Sequence, residues 1–227
     1  MAEVQDTSSS MDERGERLIE EAAKVFWTYG IKSMTMDDLS TRLGISKKTL
    51  YQHVKDKNDL VDKVLAHISK GFKCDVDETV GTGGNAIDEL FNITTTVADR
   101  LKDIHPSIHF DLEKYHPEAF RKMLHTKREE VYTTTMENMQ RGISEGLYRD
   151  DLNIPMIAMI YIARFDMVFD GELFPPDRFP PNELHWELFR YHIRGIASAK
   201  GLKYLEKKVQ KEMTTGTSPS GKAPNKP

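Results

Sequence analysis

The chain has 227 residues, 38% of them hydrophobic and 30% charged, with a formal net charge of −4. That balance excludes a disordered chain, and its slight acidity excludes a protein that coats nucleic acid by bulk electrostatics. A membrane span, a secretory leader, an intramolecular disulfide and a cysteine-built metal cage are not expected either. No long apolar run or charged-then-apolar start is present, and Cys74 is the single cysteine. A reducing cytoplasm is the expected compartment.

Residues 1–10 are small and polar and read as a loose tail. Leu18, Ile19, Ala22, Val25, Phe26 and Tyr29 then recur at helical spacing, and Gly30 suits the position just after a helix. Thr35 starts a second helix, because its hydroxyl can accept from the Asp38 N–H while the Asp38 carboxylate reaches back. Leu39 and Leu43 give this helix a buried face, and Gly44 ends it. Ser46 caps a third helix, Lys47–Val54, whose inward residues are Leu50 and Val54. Asp56 caps a fourth, with Leu60, Val61, Val64, Leu65, Ile68 and Phe72 on one stripe. Short helices separated by a tight glycine turn predict a helix-turn-helix.

Val80–Asn85 is a glycine-rich break between helices. It is no phosphate loop, since no Gly-Lys-Ser/Thr follows and no strand precedes. An amphipathic helix from Ile87 to Ile104 stops at His105-Pro106, a short piece covers Ile108–Tyr115, and Pro117 opens a helix that runs to Gly146. Asn153 can cap the unusually apolar Ile154–Asp170. After a proline-rich loop at 174–181, a last long helix carries Leu184, Leu188, Tyr191, His192 and Ile196, and the chain beyond Met213 is polar and low in complexity. No alternating strand is found, so the expected class is all-α. The expected organisation is a tail at 1–10, a helix-turn-helix domain at 11–58, a helical effector-binding and dimerisation domain at 59–206, and a mostly disordered tail at 207–227.

Between residues 42 and 57 five cations, Arg42, Lys47, Lys48, Lys55 and Lys57, face Asp56 alone, whereas the next stretch is acidic. On the third helix Lys47, Lys48, Thr49, Gln52 and His53 can face outward. Lysine can donate to guanine or to phosphate, glutamine can pair with the adenine edge, and the Thr49 methyl can meet that of thymine. Gln52 and His53 remain alternative base readers.

The segment Thr35–Leu60, with Thr35, Gly44, Ser46, Thr49, Leu50, Tyr51, His53, Lys57 and Leu60, resembles the DNA-binding domain of the tetracycline-repressor (TetR/AcrR) family. Ala22, Ala23, Phe26 and Gly30 also fit, while Val54 replaces a more usual phenylalanine. The resemblance covers roughly fifty residues. It implies that Tyr51 and Lys57 hold phosphates and that Thr35 and Met36 lie near the backbone or groove edge. It further implies a homodimer reading a palindromic double-stranded operator, and a repressor released by a small-molecule effector.

The family's four-helix dimer interface would here use Ile157, Ile160, Tyr161, Arg164, Val168, Leu184, Leu188, Tyr191 and His192. Candidate effector-pocket residues are Phe91, Thr94, Thr95, His109, Tyr115, Tyr132, Met136, Met139, Tyr161 and Phe165, for each of which ordinary core packing is the competing explanation. His105, His109, Asp111, Glu113 and His116 invite a metal, but no His-Glu-x-x-His motif supports one, and no cofactor is called for. An enzyme built on a helical bundle would need inward carboxylates at Glu-x-x-His spacing, a nucleophile motif or a phosphate loop. The sequence offers none of these, so a non-enzyme is expected.

Overall fold

The computed structural model describes residues 13–80, 83–102, 104–105, 107–168, 170–175 and 177–215, with the side chains at 165–167 and 211–215 outside that description. Among the described residues the chain is helical without a named strand, and it forms two compact units. The first comprises residues 1–71 and 105–123, the second 72–104 and 124–227. No described helix is long and apolar enough to cross a membrane.

In the first unit α1 (Glu13–Tyr29), α2 (Met36–Arg42), α3 (Lys47–His53) and the start of α4 (Lys57–Thr79) form the helix-turn-helix core. Their inward residues Ile19, Phe26, Ile31, Leu39, Leu50 and Leu60 are almost wholly removed from water. Burial of that kind is the main reason such short helices persist, since seven residues cannot sustain a helix alone. The unit also takes in α6 (Ile108–Tyr115) and the first turns of α7 (Pro117–Ser144).

The second unit is built on α5 (Ala86–Lys102), most of α7, α8 (Ile154–Val168), α9 (Pro181–Ile196) and α10 (Ala199–Thr215). Its core joins Ile87, Leu90, Phe91, Met139, Trp186, Phe189 and Ile193. Phe91, Trp186 and Phe189 pack edge-on or tilted with ring centroids 5.4–5.8 Å apart. Buried polar groups are cross-linked: the Asn138 amide donates to the Ala86 carbonyl and to Glu89, and the Tyr148 hydroxyl donates to the Asn138 oxygen at 3.0 Å.

At the C-terminal end the expected last long helix is α9, and after a break a further helix, α10, runs to Thr215. The break is made by residues distant in sequence: the Arg149 N–H donates to the Ile196 carbonyl, and the Ser198 N–H to that of Leu147, each at 2.9 Å. Ser198 then restarts the helix by accepting from the Gly201 N–H. The expected N-terminal tail and the last twelve residues, 216–227, lie outside the described residues.

Candidate nucleic-acid interface

The caps read from the sequence at α2 and α3 both form. The Thr35 hydroxyl accepts from the Asp38 N–H at 3.2 Å, and the Asp38 carboxylate accepts from the Thr35 N–H at 3.0 Å and from its hydroxyl at 2.6 Å. These bonds hold the Asp38 carboxyl below its ordinary range, the Thr35 hydroxyl first among them. At α3 the Ser46 hydroxyl accepts from the Thr49 N–H at 3.0 Å and lies 2.8 Å from the Thr49 hydroxyl. Gly44, at φ +64°, makes the turn between α2 and α3 in a backbone conformation that side-chain-bearing residues avoid.

The inward side of α3 is closed by Leu50, fully buried, with Val54 just beyond its end at 2% exposure, so the opposite side is fixed outward. Lys47, Lys48, Tyr51 and Gln52 are exposed there, while Thr49 and His53 are half-buried. Tyr51 keeps 49% of its surface in water. Lys47 is drawn to Asp37 of α2 in a surface ion pair that a phosphate can displace cheaply. Lys48 has no ion pair among the described residues.

Lys57 is placed differently from the others. It is half-buried, with its ammonium 3.5 Å from the Lys32 carbonyl, and burial pushes its pKa down against the pull of Asp111. Thr35 is exposed and Met36 half-buried at the start of α2. A residue that sequence reasoning passed over is Lys63, whose ammonium donates to the His53 carbonyl at 2.7 Å and to Asp59 at 3.0 Å. It ties the C-terminal end of α3 to α4, and its only signal was the four-residue spacing from Asp59.

α6 adjoins the same unit through Asp111. This buried carboxylate accepts from the Lys32 N–H at 2.9 Å and lies 3.3 Å from the Ser107 hydroxyl, and the His105 N–H donates to the Trp27 carbonyl. Gly30, at φ +80°, passes this corner so closely that a Cβ would stand 2.7 Å from the Ser107 oxygen. Burial, and secondarily Lys57, lowers the His116 pKa. No cluster of three or more His, Cys, Asp or Glu that could hold a metal occurs among the described residues.

The ten candidate pocket residues are divided between the two units. His109, edge-on to Phe120, and Tyr115 fall in the first unit; the others belong to the second. Phe91 and Met139 are core residues, and the hydroxyls of Thr94 and Thr95 bond within their own helix. Tyr132 and Met136 are half-buried, and the Phe165 side chain lies outside the described residues.

Among the described candidates Tyr161 borders a recess between α8 and α9 that is partly open to solvent. Arg164, Val168, His185, Leu188 and Phe189 complete that lining. Burial, and then Arg164, pushes the pKa of His185 down to about 4 and that of His192 to about 3.

Of the expected interface residues, Ile160 and Tyr191 are exposed at 53% and 81%. Ile157, Tyr161, Arg164, Leu184 and Leu188 are half-buried, while Val168 and His192 are covered by their own chain. Met156 and Met159, which sequence reasoning left out, extend the apolar surface of α8 at 60% and 57% exposure.

Residues 18–64 match the family model described as bacterial regulatory proteins, tetR family. The HTH-type transcriptional repressor KstR2 of Mycolicibacterium smegmatis is 23% identical over 159 residues, covering 67% of this chain and 76% of the relative. Its counterpart from Rhodococcus jostii is 26% identical over 161 residues, covering 66% and 75%. Among solved structures, a transcriptional regulator from Cytophaga hutchinsonii superposes with a TM-score of 0.68 at 19% identity, over 82% of this chain and 100% of that one. KstR2 of Mycobacterium tuberculosis gives 0.54 at 18%, over 83% and 97%.

Proposed function

Because this chain belongs to the tetR family of bacterial regulatory proteins, we propose that it is a cytoplasmic homodimer that represses transcription from a palindromic operator and is released by a small-molecule effector bound in its second unit. The observation that carries the DNA-reading part is α3 itself. It is a doubly anchored helix with Leu50 and Val54 pinned inward and Lys47, Lys48, Tyr51 and Gln52 left exposed, on an otherwise acidic molecule.

A helix of that kind inserts its polar side into the major groove, while Tyr51, Thr35 and Met36 hold register on the backbone. Gln52 and His53 are the base-edge readers, and Lys47 exchanges Asp37 for phosphate. Lys57 reaches phosphate by leaving the Lys32 carbonyl, a long and weak bond. Dimerisation through the exposed Met156, Met159, Ile160 and Tyr191 of α8 and α9 supplies the second reading helix that a palindrome requires, its half-sites about 34–36 Å apart. The repressor sense follows the relatives named as transcriptional repressors.

The test is a gel-shift titration on duplexes that the protein itself selects from a randomised pool. Lys48→Ala is expected to weaken binding and to reduce the slope of log affinity on log salt by about one unit, with unchanged helical circular dichroism. Unchanged affinity and slope would show that α3 is not the reading helix.

A further inference from the structure

We infer that the recess between α8 and α9 is a binding site for a small apolar carboxylic acid, with the carboxylate held by Arg164 and His185 and the hydrocarbon against Val168, Leu188 and Phe189. Two of the residues lining this recess each carry a buried nitrogen without any hydrogen-bond partner, Arg164 Nε and His185 Nε2. His185 is 93% buried, so water does not satisfy it from outside. The Arg164 guanidinium spends one N–H on the Leu188 carbonyl at 2.9 Å and lies 4.7 Å from the Tyr161 ring centre. No carboxylate pairs with it among the described residues.

A half-buried cation with no counter-charge among the described residues and an idle buried donor is complementary to an anion, and a planar guanidinium fits a carboxylate best. The remaining lining decides what the anion carries. Val168, Leu188 and Phe189 are apolar, which disfavours phosphate or sulfate and favours an acid with a short hydrocarbon body.

A carboxylate from a second copy is the less fitting occupant. The exposed large apolar residues of the same two helices are Met156, Met159, Ile160 and Tyr191, and of the exposed α9 carboxylates Glu183 and Glu187 the latter is taken by Arg190 in its own helix.

Proton linkage follows from the same geometry. The charged group acting on His185 is Arg164 of α8, and on Arg164 the tyrosines Tyr161 of α8 and Tyr191 of α9; His192 is the other imidazole beside them. With the recess empty, burial and Arg164 keep His185 neutral, and a bound carboxylate opposes both. Binding therefore takes up protons to the extent that the carboxylate brings the His185 pKa up from about 4 into this range, and affinity then rises as pH falls from 7.5 to 5.5.

The inference rests on the effector-binding part of the function proposed above, and calorimetry on the full chain with hexanoate separates the two. Hexanoate is expected to bind with proton uptake, detected as a heat that varies with buffer ionisation enthalpy, and at least about tenfold more tightly than hexanol, the value of one unit of differential charge interaction. Arg164→Met is expected to remove hexanoate binding, Arg164→Lys to retain part of it, and His185→Gln to retain binding without proton uptake. Thermal melts of each variant report folding independently.

Hexanol binding as tightly as hexanoate, or hexanoate binding untouched by Arg164→Met, overturns the site. So does Arg164→Met dissociating the dimer in sedimentation while wild type binds no hexanoate, which makes the partner's carboxylate the occupant. Hexanoate binding that leaves duplex affinity unchanged supports the acid site and removes its effector role.

Discussion

The two buried imidazoles of α9 make acid sensitivity of the second unit a quantitative expectation. His185 and His192 are each 7% exposed, and burial, followed by Arg164, holds them at about 4 and about 3, against an ordinary value of 6.5. The unfolded chain therefore binds protons that the folded one refuses, so stability is present above pH 6.5 and is lost as pH falls toward 4. Between pH 7 and pH 5 the loss is about 2 kcal/mol for each histidine, and roughly 3–4 kcal/mol for the pair.

The chain has two tryptophans, Trp27 in the first unit and Trp186 beside His185 in the second. Trp27→Phe therefore leaves a fluorescence signal from the second unit alone. Urea unfolding of that variant at pH 7 and pH 5 is compared with the same protein carrying His185→Gln and His192→Phe, which cannot take up those protons. The difference in pH dependence between the two proteins isolates the histidines from every other group. A difference below about 0.5 kcal/mol would refute neutral burial, since a single such imidazole already accounts for several times that amount.

Three further substitutions test the first unit, read by Trp27 fluorescence in a Trp186→Phe background. Ser46→Ala removes the acceptor for the Thr49 N–H and is expected to lower stability by about 1 kcal/mol and to weaken duplex binding. An unchanged unfolding midpoint would mean that the cap contributes nothing. Asp111→Ala strands the Lys32 N–H and is expected to cost about 1–3 kcal/mol, with Asp111→Asn milder because it keeps an oxygen acceptor; equal losses would contradict the Lys32 bond. Gly30→Ala combines positive φ with an approach of 2.7 Å to the Ser107 hydroxyl, so a loss of at least about 1–2 kcal/mol is expected, and a neutral result would mean the loop relaxes freely.

What was legible in the sequence shares one physical property, its short range. Thr35 caps through Asp38 and Ser46 through Thr49, each within three residues, and Gly44 turns the chain by its own φ. The helix-turn-helix and its outward residues could therefore be read before any tertiary contact was known. Residues 105–123 could not be assigned in this way. They join the first unit through Asp111 and Lys32, which stand 79 positions apart, and a carboxylate in a short helix carries no local mark of its distant acceptor role. The end of α9 was hidden for the same reason, because Leu147 and Arg149 impose it from fifty residues upstream.

The apolar α8 shows why the candidate pocket was the least readable part. A helix of Ile154–Val168 composition is hydrophobic nearly all round, so periodicity cannot separate Ala158 and Ile162, which are buried, from Met156 and Met159, which are not. Of the aromatic and methionine residues chosen for a pocket by type, Phe91 and Met139 close-pack in the core, while Tyr132, Met136 and Tyr161 are half-buried. The polar residues of the same region were the better indicator. A cation and imidazoles placed on the helices flanking an apolar core are costly unless something repays their desolvation, and the described residues leave Arg164 Nε and His185 Nε2 unrepaid. In an all-helical body, a site is better sought among the buried groups that lack partners than among the large side chains that already have them.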